Sequence, residues 1–282
     1  MLSPLLFLVY INDLVVNLGE GVKVSAFADD LAVWKSGRDI PKLVEDVQWA
    51  ADTVSGWCKE WLMQISVKKC SVSLFSLSAK HARMDGVTVK INGEELRKER
   101  SPCFLGVTFD QKMTFGNQVD RVVRKAQDRL KVIRRLAGTS WGWQKQLLRV
   151  SYQSLVESVL LYGISSWGPW VSNTQWGKIN RVHLAGGRII GGTMASAPKE
   201  AVLLEAGLVE IRKKAEERWV VELEKCRKAK EGDPRKDWGL KNVRSRLVRD
   251  NWRKKAEEIR NRIIEDGVKS MKIENAVEPW KD

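Results

Sequence analysis

The sequence predicts an α+β protein, and three observations carry that prediction. Short alternating apolar runs at 22–34, 72–77, 87–91 and 103–109 read as strands. Apolar residues recur at helical spacing before and between those runs. Beyond Thr114 nearly everything reads as helix, so strands with helices come first and a helical half follows.

Each element has its own signal. Ser3-Pro4 suits a helix start, with Ser3 as N-cap and Pro4 at the first helical position. Leu6, Val9, Tyr10 and Asp13 continue it, and the apolar "LSPLLFLVYINDLVV" predicts a buried helix. It begins without a preceding tail, as though inside a domain. Gly19 and Gly21 bracket a turn. "VKVSAFADDLAVW" reads as two strands, with Val22, Val24, Ala26 and Ala28 on one side and Asp29-Asp30 at or near a β-turn. A helix is expected from Asp39 to Leu62, its core face formed by Leu43, Val47, Ala50, Val54, Trp57 and Trp61. "VSLFSL" and "VTVKI" are expected strands, Asn92-Gly93 a hairpin turn, and "CFLGVTF" a further strand.

In the helical half, Val119, Val122, Val123, Ala126, Leu130 and Ile133 form one apolar face. Arg121, Arg124, Lys125, Arg129, Lys131, Arg134 and Arg135 lie opposite, against only Asp120 and Asp128. A second helix is expected from Gln144 to Tyr162, ended by Gly163, Gly168 and Pro169. After Gly191-Gly192, residues 199–230 read as one charged amphipathic helix, and the last fifty residues as mixed-charge helix poor in core residues. No repeat or low-complexity tract interrupts the chain.

Lys and Arg outnumber Asp and Glu by 49 to 35 over 282 residues, a formal charge of +14. Such a balance points to a polyanion, nucleic acid before a membrane surface, although a basic soluble surface has the same composition. Cys58, Cys70, Cys103 and Cys226 form no C-x-x-C pair and have no His at ligand spacing, which argues against zinc and fits an intracellular, reducing setting. His81 and His183 lie far apart, so a histidine-based catalytic system has little support. The apolar N-terminal stretch lacks a basic leader and is too short to span a bilayer. The sequence leaves oligomeric state open.

Asp29 and Asp30 bring two like charges together, which strains the fold unless a cation neutralises them. Magnesium prefers carboxylate oxygens, water and phosphate. Paired metal ions held by such carboxylates serve phosphoryl transfer, usually with a third carboxylate from another strand. A solvated turn is the other reading, since Asp is common in turns.

"LSPLLFLVYINDL", "FADDLAVW", "WLMQISVKKC" and "CFLGVTFDQKMTF" occur in that order and at spacings that resemble the reverse transcriptases of LINE-type (non-LTR) retrotransposons. The resemblance covers roughly residues 1–215. The later "LLYGISSWGPW" and "PKEAVLLEAGL" resemble the segment that follows the polymerase in such elements. It implies a partial right-hand polymerase palm (an antiparallel sheet with helices) over 1–115, a helical thumb-like region over 116–190 and a charged helical C-terminal extension over 191–282.

By the same resemblance, Ser3 and Pro4 belong to the loop and helix supporting nucleotide and template. Asp29 is the principal magnesium ligand and Asp30 its neighbour. Lys69 is the lysine beside the leaving pyrophosphate, a candidate general acid, with Ser66 standing where the family usually has Asn. Phe104, Leu105 and Gly106 form the primer grip. Arg121, Arg124, Lys125, Lys131, Arg134 and Arg135 track the duplex backbone, and the partners are an RNA template and a DNA primer. Local readings stand beside these: Lys69 as a surface lysine, the basic face as a solvated one, and Trp141-Gly142-Trp143 as packing rather than base stacking. The family's motif A aspartate and fingers have no counterpart in this sequence, since Asp13 falls on the helix and Asp85 and Asp110 beside turns. The expectation is therefore a C-terminal part of the polymerase with little activity alone, or else a silent nucleic-acid-binding or protein-interaction remnant.

Overall fold

The computed structural model describes residues 2–18, 21–81, 83–138, 142–233, 235–236 and 252–265. The chain divides into two compact units, Met1–Asn117 and Gln118–Asp282.

In the first unit α1 (Ser3–Asn17) leads into a hairpin of β1 (Lys23–Phe27) and β2 (Asp30–Trp34), followed by α2 (Ile40–Glu60). The helix start at Ser3-Pro4 is displaced by one residue. Leu2 is the cap position, no side chain caps it, and Ser3 already lies in the helix. The expectation of a buried first helix is corrected more deeply. Only Ile11 and Leu14, with Leu18 just beyond, are buried, whereas Leu2, Leu5, Leu6, Leu8, Val9 and Val16 are exposed. Apolar composition made the helix look interior, but among the described residues only one stripe has a neighbour to pack on.

The expected face of α2 forms, and it is the hub of the unit. On one side Trp57 and Cys58 join Ile11 and Leu14, with Phe7, Tyr10, Leu31, Met63 and Ile65 around them. Ala50 joins Leu18 and Val22, flanked by Val24 and Val33 of the hairpin. On another side Val44, Val47 and Ala51 pack on Val89, Ile91 and Leu96. Trp61, at the end of the expected stripe, is 40% exposed and stacks on Trp57 instead of entering the core.

The strands between 71 and 108 are shorter than their apolar runs. β3 (Ser71–Val72) pairs in parallel with β6 (Arg97–Lys98), β4 (Lys90–Ile91) antiparallel with β5 (Glu94–Glu95), and β7 (Cys103–Phe104) antiparallel with β8 (Val107–Thr108). Each is a separate two-stranded ladder, so among the described residues the expected single antiparallel sheet does not form. Left-handed residues cut the runs. Asn92 and Gly93, at φ 53° and 84°, make the hairpin turn their sequence signals. The expected strand 103–109 folds back on itself at Leu105-Gly106, whose φ values are 47° and 76°.

In the second unit, α3 (Gly116–Ala137, which begins just before the boundary) buries Val119, Val122, Ala126, Leu130 and Ile133 as expected. The expected helix at 144–162 is α4 (Lys145–Tyr152), a π-helical turn (Gln153–Glu157) and α5 (Ser158–Leu160), ended at Gly163 with φ 58°. α6 (Ile164–Trp167) precedes α7 (Asn173–Gly191), whose N-cap Ser172 accepts a hydrogen bond from the Gln175 amide. The single helix expected over 199–230 is two, α8 (Lys199–Ala206) and α9 (Ile211–Lys228), because Gly207 turns left-handed at φ 64°. α10 (Trp252–Glu265) is tied to α9 by Arg260 to Glu224 at 2.8 Å and Arg227 to Glu257 at 3.1 Å. Apart from α10 and residues 233, 235 and 236, the C-terminal fifty residues, like Gly19 and Trp141, lie outside the described residues.

The core of this unit encloses a tyrosine–histidine pair. Tyr152 Oη lies 2.9 Å from His183 Nδ1, and His183 Nε2 lies 2.9 Å from the Val209 carbonyl. The carbonyl can only accept, so Nε2 carries the proton and the tyrosine donates to Nδ1. Burial holds His183 down to about 4, against the opposing pull of the Val209 hydrogen bond, and Lys214 adds to the lowering. Burial pushes the Tyr152 phenol up, with the Glu157 charge adding to it. His183 is thus a neutral core residue.

Candidate functional site

The acidic pair sits at the tip of a five-residue ladder whose end pair is Phe27 opposite Asp30. Ala28 and Asp29 form the two-residue turn. Ala28 takes φ 52°, the left-handed value that suits the first central position of a type II′ turn and is ordinarily given to glycine. That conformation costs a residue with a Cβ about 1–2 kcal/mol. Strand alternation puts Val24, Ala26, Leu31 and Val33 on one face and Phe27 and Asp30 on the other. Leu31 packs in the cluster of α1 and α2, and Val33 packs beside Leu18 and Ala50. The base of the hairpin is tied down by Lys35, which donates to the Gly21 carbonyl and lies 3.5 Å from Asp46 of α2. So two adjacent carboxylates sit in an apolar run without being buried. The run is anchored through one face, and its tip, with both aspartates and Phe27, is exposed.

The same cluster gathers two further elements expected to contribute. α1 enters it through Phe7, Tyr10, Ile11 and Leu14, and the segment after α2 through Met63 and Ile65. Tyr10 Oη donates to the Trp61 carbonyl at 2.7 Å, and its ring meets Trp57 and Trp61 edge-on. This contact locks the end of α2 just before the chain turns at Leu62, with φ 55°, toward Lys69. Helical spacing marked Tyr10 in the sequence, but nothing marked its partner 51 residues on. Lys69 is exposed on a 3₁₀ turn (Val67–Lys69), closed by its own amide donating to Ser66 O at 2.9 Å. Val67 and Cys70 hold that turn against Val89, Ile91 and Leu96.

Phe104, Leu105 and Gly106 are brought together as the turn of a hairpin rather than as one strand. Phe109 follows, and its ring meets Phe75 and Phe115. Asp110 is consumed locally: its carboxylate accepts from the Thr114 amide at 3.0 Å, the Thr114 hydroxyl at 2.9 Å and the Phe115 amide at 2.5 Å. Ser3 and Pro4 are exposed in the first turn of α1. On α3 the side chains of Arg121, Arg124, Lys125, Lys131, Arg134 and Arg135 are all exposed. Lys131 pairs with Asp128 at 2.7 Å on the surface, while Asp120 is drawn away to Lys178 at 2.6 Å.

Two exposed carboxylates suit magnesium, which takes one or two such groups and completes its octahedron with water and phosphate oxygens. Among the described residues no group of three or more His, Cys, Asp or Glu side chains is placed to hold a metal ion, so the pair has no third carboxylate there. Nor, among those residues, is any helix long and apolar enough to cross a membrane.

Comparison with known proteins bears directly on this hairpin. Residues 1–109 match the family reverse transcriptase (RNA-dependent DNA polymerase). That stretch contains α1, the Asp29-Asp30 tip, Lys69 and the Leu105-Gly106 turn. The probable RNA-directed DNA polymerase from transposon BS of Drosophila melanogaster is 26% identical over 176 residues, 60% of this chain and 19% of that protein. The RNA-directed DNA polymerase from mobile element jockey of the same species is 24% identical over 178 residues, 60% and 19% of the two chains. A retrovirus-related Pol polyprotein from type-1 retrotransposable element R1 2 of Nasonia vitripennis is 26% identical over 171 residues, 58% of this chain and 41% of that protein. The chain thus spans about a fifth of the length of the first two relatives, at 19% each. These elements are non-LTR retrotransposons, in keeping with the LINE-type resemblance. No solved structure matches the chain.

Proposed function

We propose that this chain is the C-terminal palm-and-thumb part of an RNA-directed DNA polymerase, in which Asp29 and Asp30 hold magnesium for nucleotide transfer. The observation that carries this reading is the acidic pair at the exposed tip of a hairpin whose inner face packs on α1 and α2. Bound magnesium would supply positive charge to the phosphate oxygens on which negative charge develops. The residues of the chain have separate tasks. Asp29 is the main oxygen ligand and Asp30 the second. Lys69 presents an ammonium to the leaving pyrophosphate and can give it a proton. The Leu105-Gly106 turn lets backbone approach the primer strand, since Gly106 carries no Cβ. Ser3 and Pro4 border the nucleotide and template. Lys125, Arg134 and Arg135, with Arg121, Arg124 and Lys131, line the outer face of α3 and neutralise duplex phosphates.

On this reading the pair is one half of a metal site, and the chain alone extends no primer. The test is primer extension on an RNA template with magnesium. It uses the 282-residue chain, its Asp29→Ala/Asp30→Ala variant, and the chain fused behind the preceding region of one of the longer relatives. The expected result is extension by the fusion only, abolished by the double substitution. Extension by the chain alone would overturn the half-site reading. A fusion that stays active after the double substitution would remove the aspartates from catalysis.

A further inference from the structure

The outward side of α1 repeats a helix-pairing seam. At 100° per residue, Leu2, Leu5, Val9, Asn12 and Val16 lie diametrically opposite the stripe of Phe7, Ile11, Leu14 and Leu18 that packs into the first unit. The positions are three and four apart, the spacing of a two-helix seam. They are also open: Leu2 is 67% exposed, Leu5 61%, Val9 74% and Val16 69%, with Leu6 and Leu8 flanking at 58% and 51%. The only charge on the helix is Asp13.

We propose that α1 pairs antiparallel with α1 of a second copy of this chain, through a two-fold axis at Val9. Three features of the helix favour that partner. Reversal about Val9 sets Leu2 against the second copy's Val16 and Val9 against Val9, with Leu5 falling beside Asn12 and Asp13. Reversal also separates the two Asp13 carboxylates and opposes the two helix dipoles, whereas a parallel pair brings like charges together. The area suffices as well. Six aliphatic side chains at about 60–120 Å² each cover roughly 500 Å² per copy, so a pair buries about 1,000 Å², the size at which a specific interface begins.

Sedimentation velocity on the full chain, over a concentration series centred on about 10 μM, tests this. The expected result is a reversible monomer–dimer equilibrium that Val9→Glu weakens by about a hundredfold, because each copy would bury a charge at the axis. Val9 points away from the core, so at concentrations where both are monomeric the melting curve of the variant should match that of the parent. In a Cys103→Ser background, oxidation should cross-link Val9→Cys to itself across the axis and should not cross-link Leu2→Cys. Three results would overturn the proposal. These are a monomer throughout the series, a dimer indifferent to Val9→Glu, or α1 amides shielded from hydrogen exchange only in the fusion to a relative's preceding region, which would assign the face to that region.

Discussion

Gly177 and Gly186 occupy the same helix, α7, and replacing each by alanine should move stability in opposite directions. Alanine in a helix interior is favoured over glycine by about 1 kcal/mol. At Gly177 nothing lies within 4 Å of an added Cβ, so that gain should appear undiminished. At Gly186 the added Cβ would overlap Tyr152 Cε2 and reach Cδ2 and Cζ at 2.8 Å. The ring has nowhere to go, because Tyr152 is fully buried and its hydroxyl is held by His183, itself held by the Val209 carbonyl. Overpacking of this kind costs up to about 3 kcal/mol. Net of propensity, Gly186→Ala should destabilise by about 2 kcal/mol. For a unit of this size, Tm should fall by about 4–8 °C for Gly186→Ala and rise by about 2–4 °C for Gly177→Ala. Thermal melts followed by far-ultraviolet circular dichroism measure both. Equal shifts in the two variants would refute the view that close packing of α7 on Tyr152, and not backbone flexibility, requires the glycine at 186.

Other outcomes follow from the same geometry. His183 is held neutral at about 4 against 6.5 in the unfolded chain, so its contribution is complete above 6.5 and is lost as pH falls toward 4. That difference is worth about 3 kcal/mol, and urea titrations across this window should show a steeper slope in the wild type than in His183→Gln. Ala28→Gly should relieve the left-handed turn and, after glycine's greater entropy loss, stabilise by about 0.5 kcal/mol, read as a higher urea midpoint. Changing Lys125, Arg134 and Arg135 together to Gln should weaken RNA–DNA duplex binding and reduce the salt slope by about 2–3, measured by fluorescence anisotropy. An unchanged slope would free those side chains from phosphate contact.

Much of the candidate site could be read from residue order. The apolar–polar alternation on either side of Asp29-Asp30 specified a hairpin with the acids at its end, and Asn92-Gly93 specified another, because both signals are local. The run 103–109 misled for the same reason. Its apolar residues suit a strand, and only Gly106 hinted at the reversal that Leu105 also adopts. Gly207 was likewise hidden inside a continuous amphipathic pattern. A left-handed glycine ends a helix where packing rewards the turn, and residue order alone does not show that packing.

By itself the sequence determined what depends on neighbours along the chain: the α+β class, the stripes of α2 and α3, the basic face of α3 and the acidic turn. Tertiary structure alone decided which apolar residues find a partner. The first helix is apolar nearly all round, yet only Ile11, Leu14 and Leu18 are buried. His183 and Tyr152, polar in composition, are fully enclosed. Burial follows from what stands across the gap, and for Tyr10 and Trp61 or Tyr152 and His183 that neighbour lies tens of residues away.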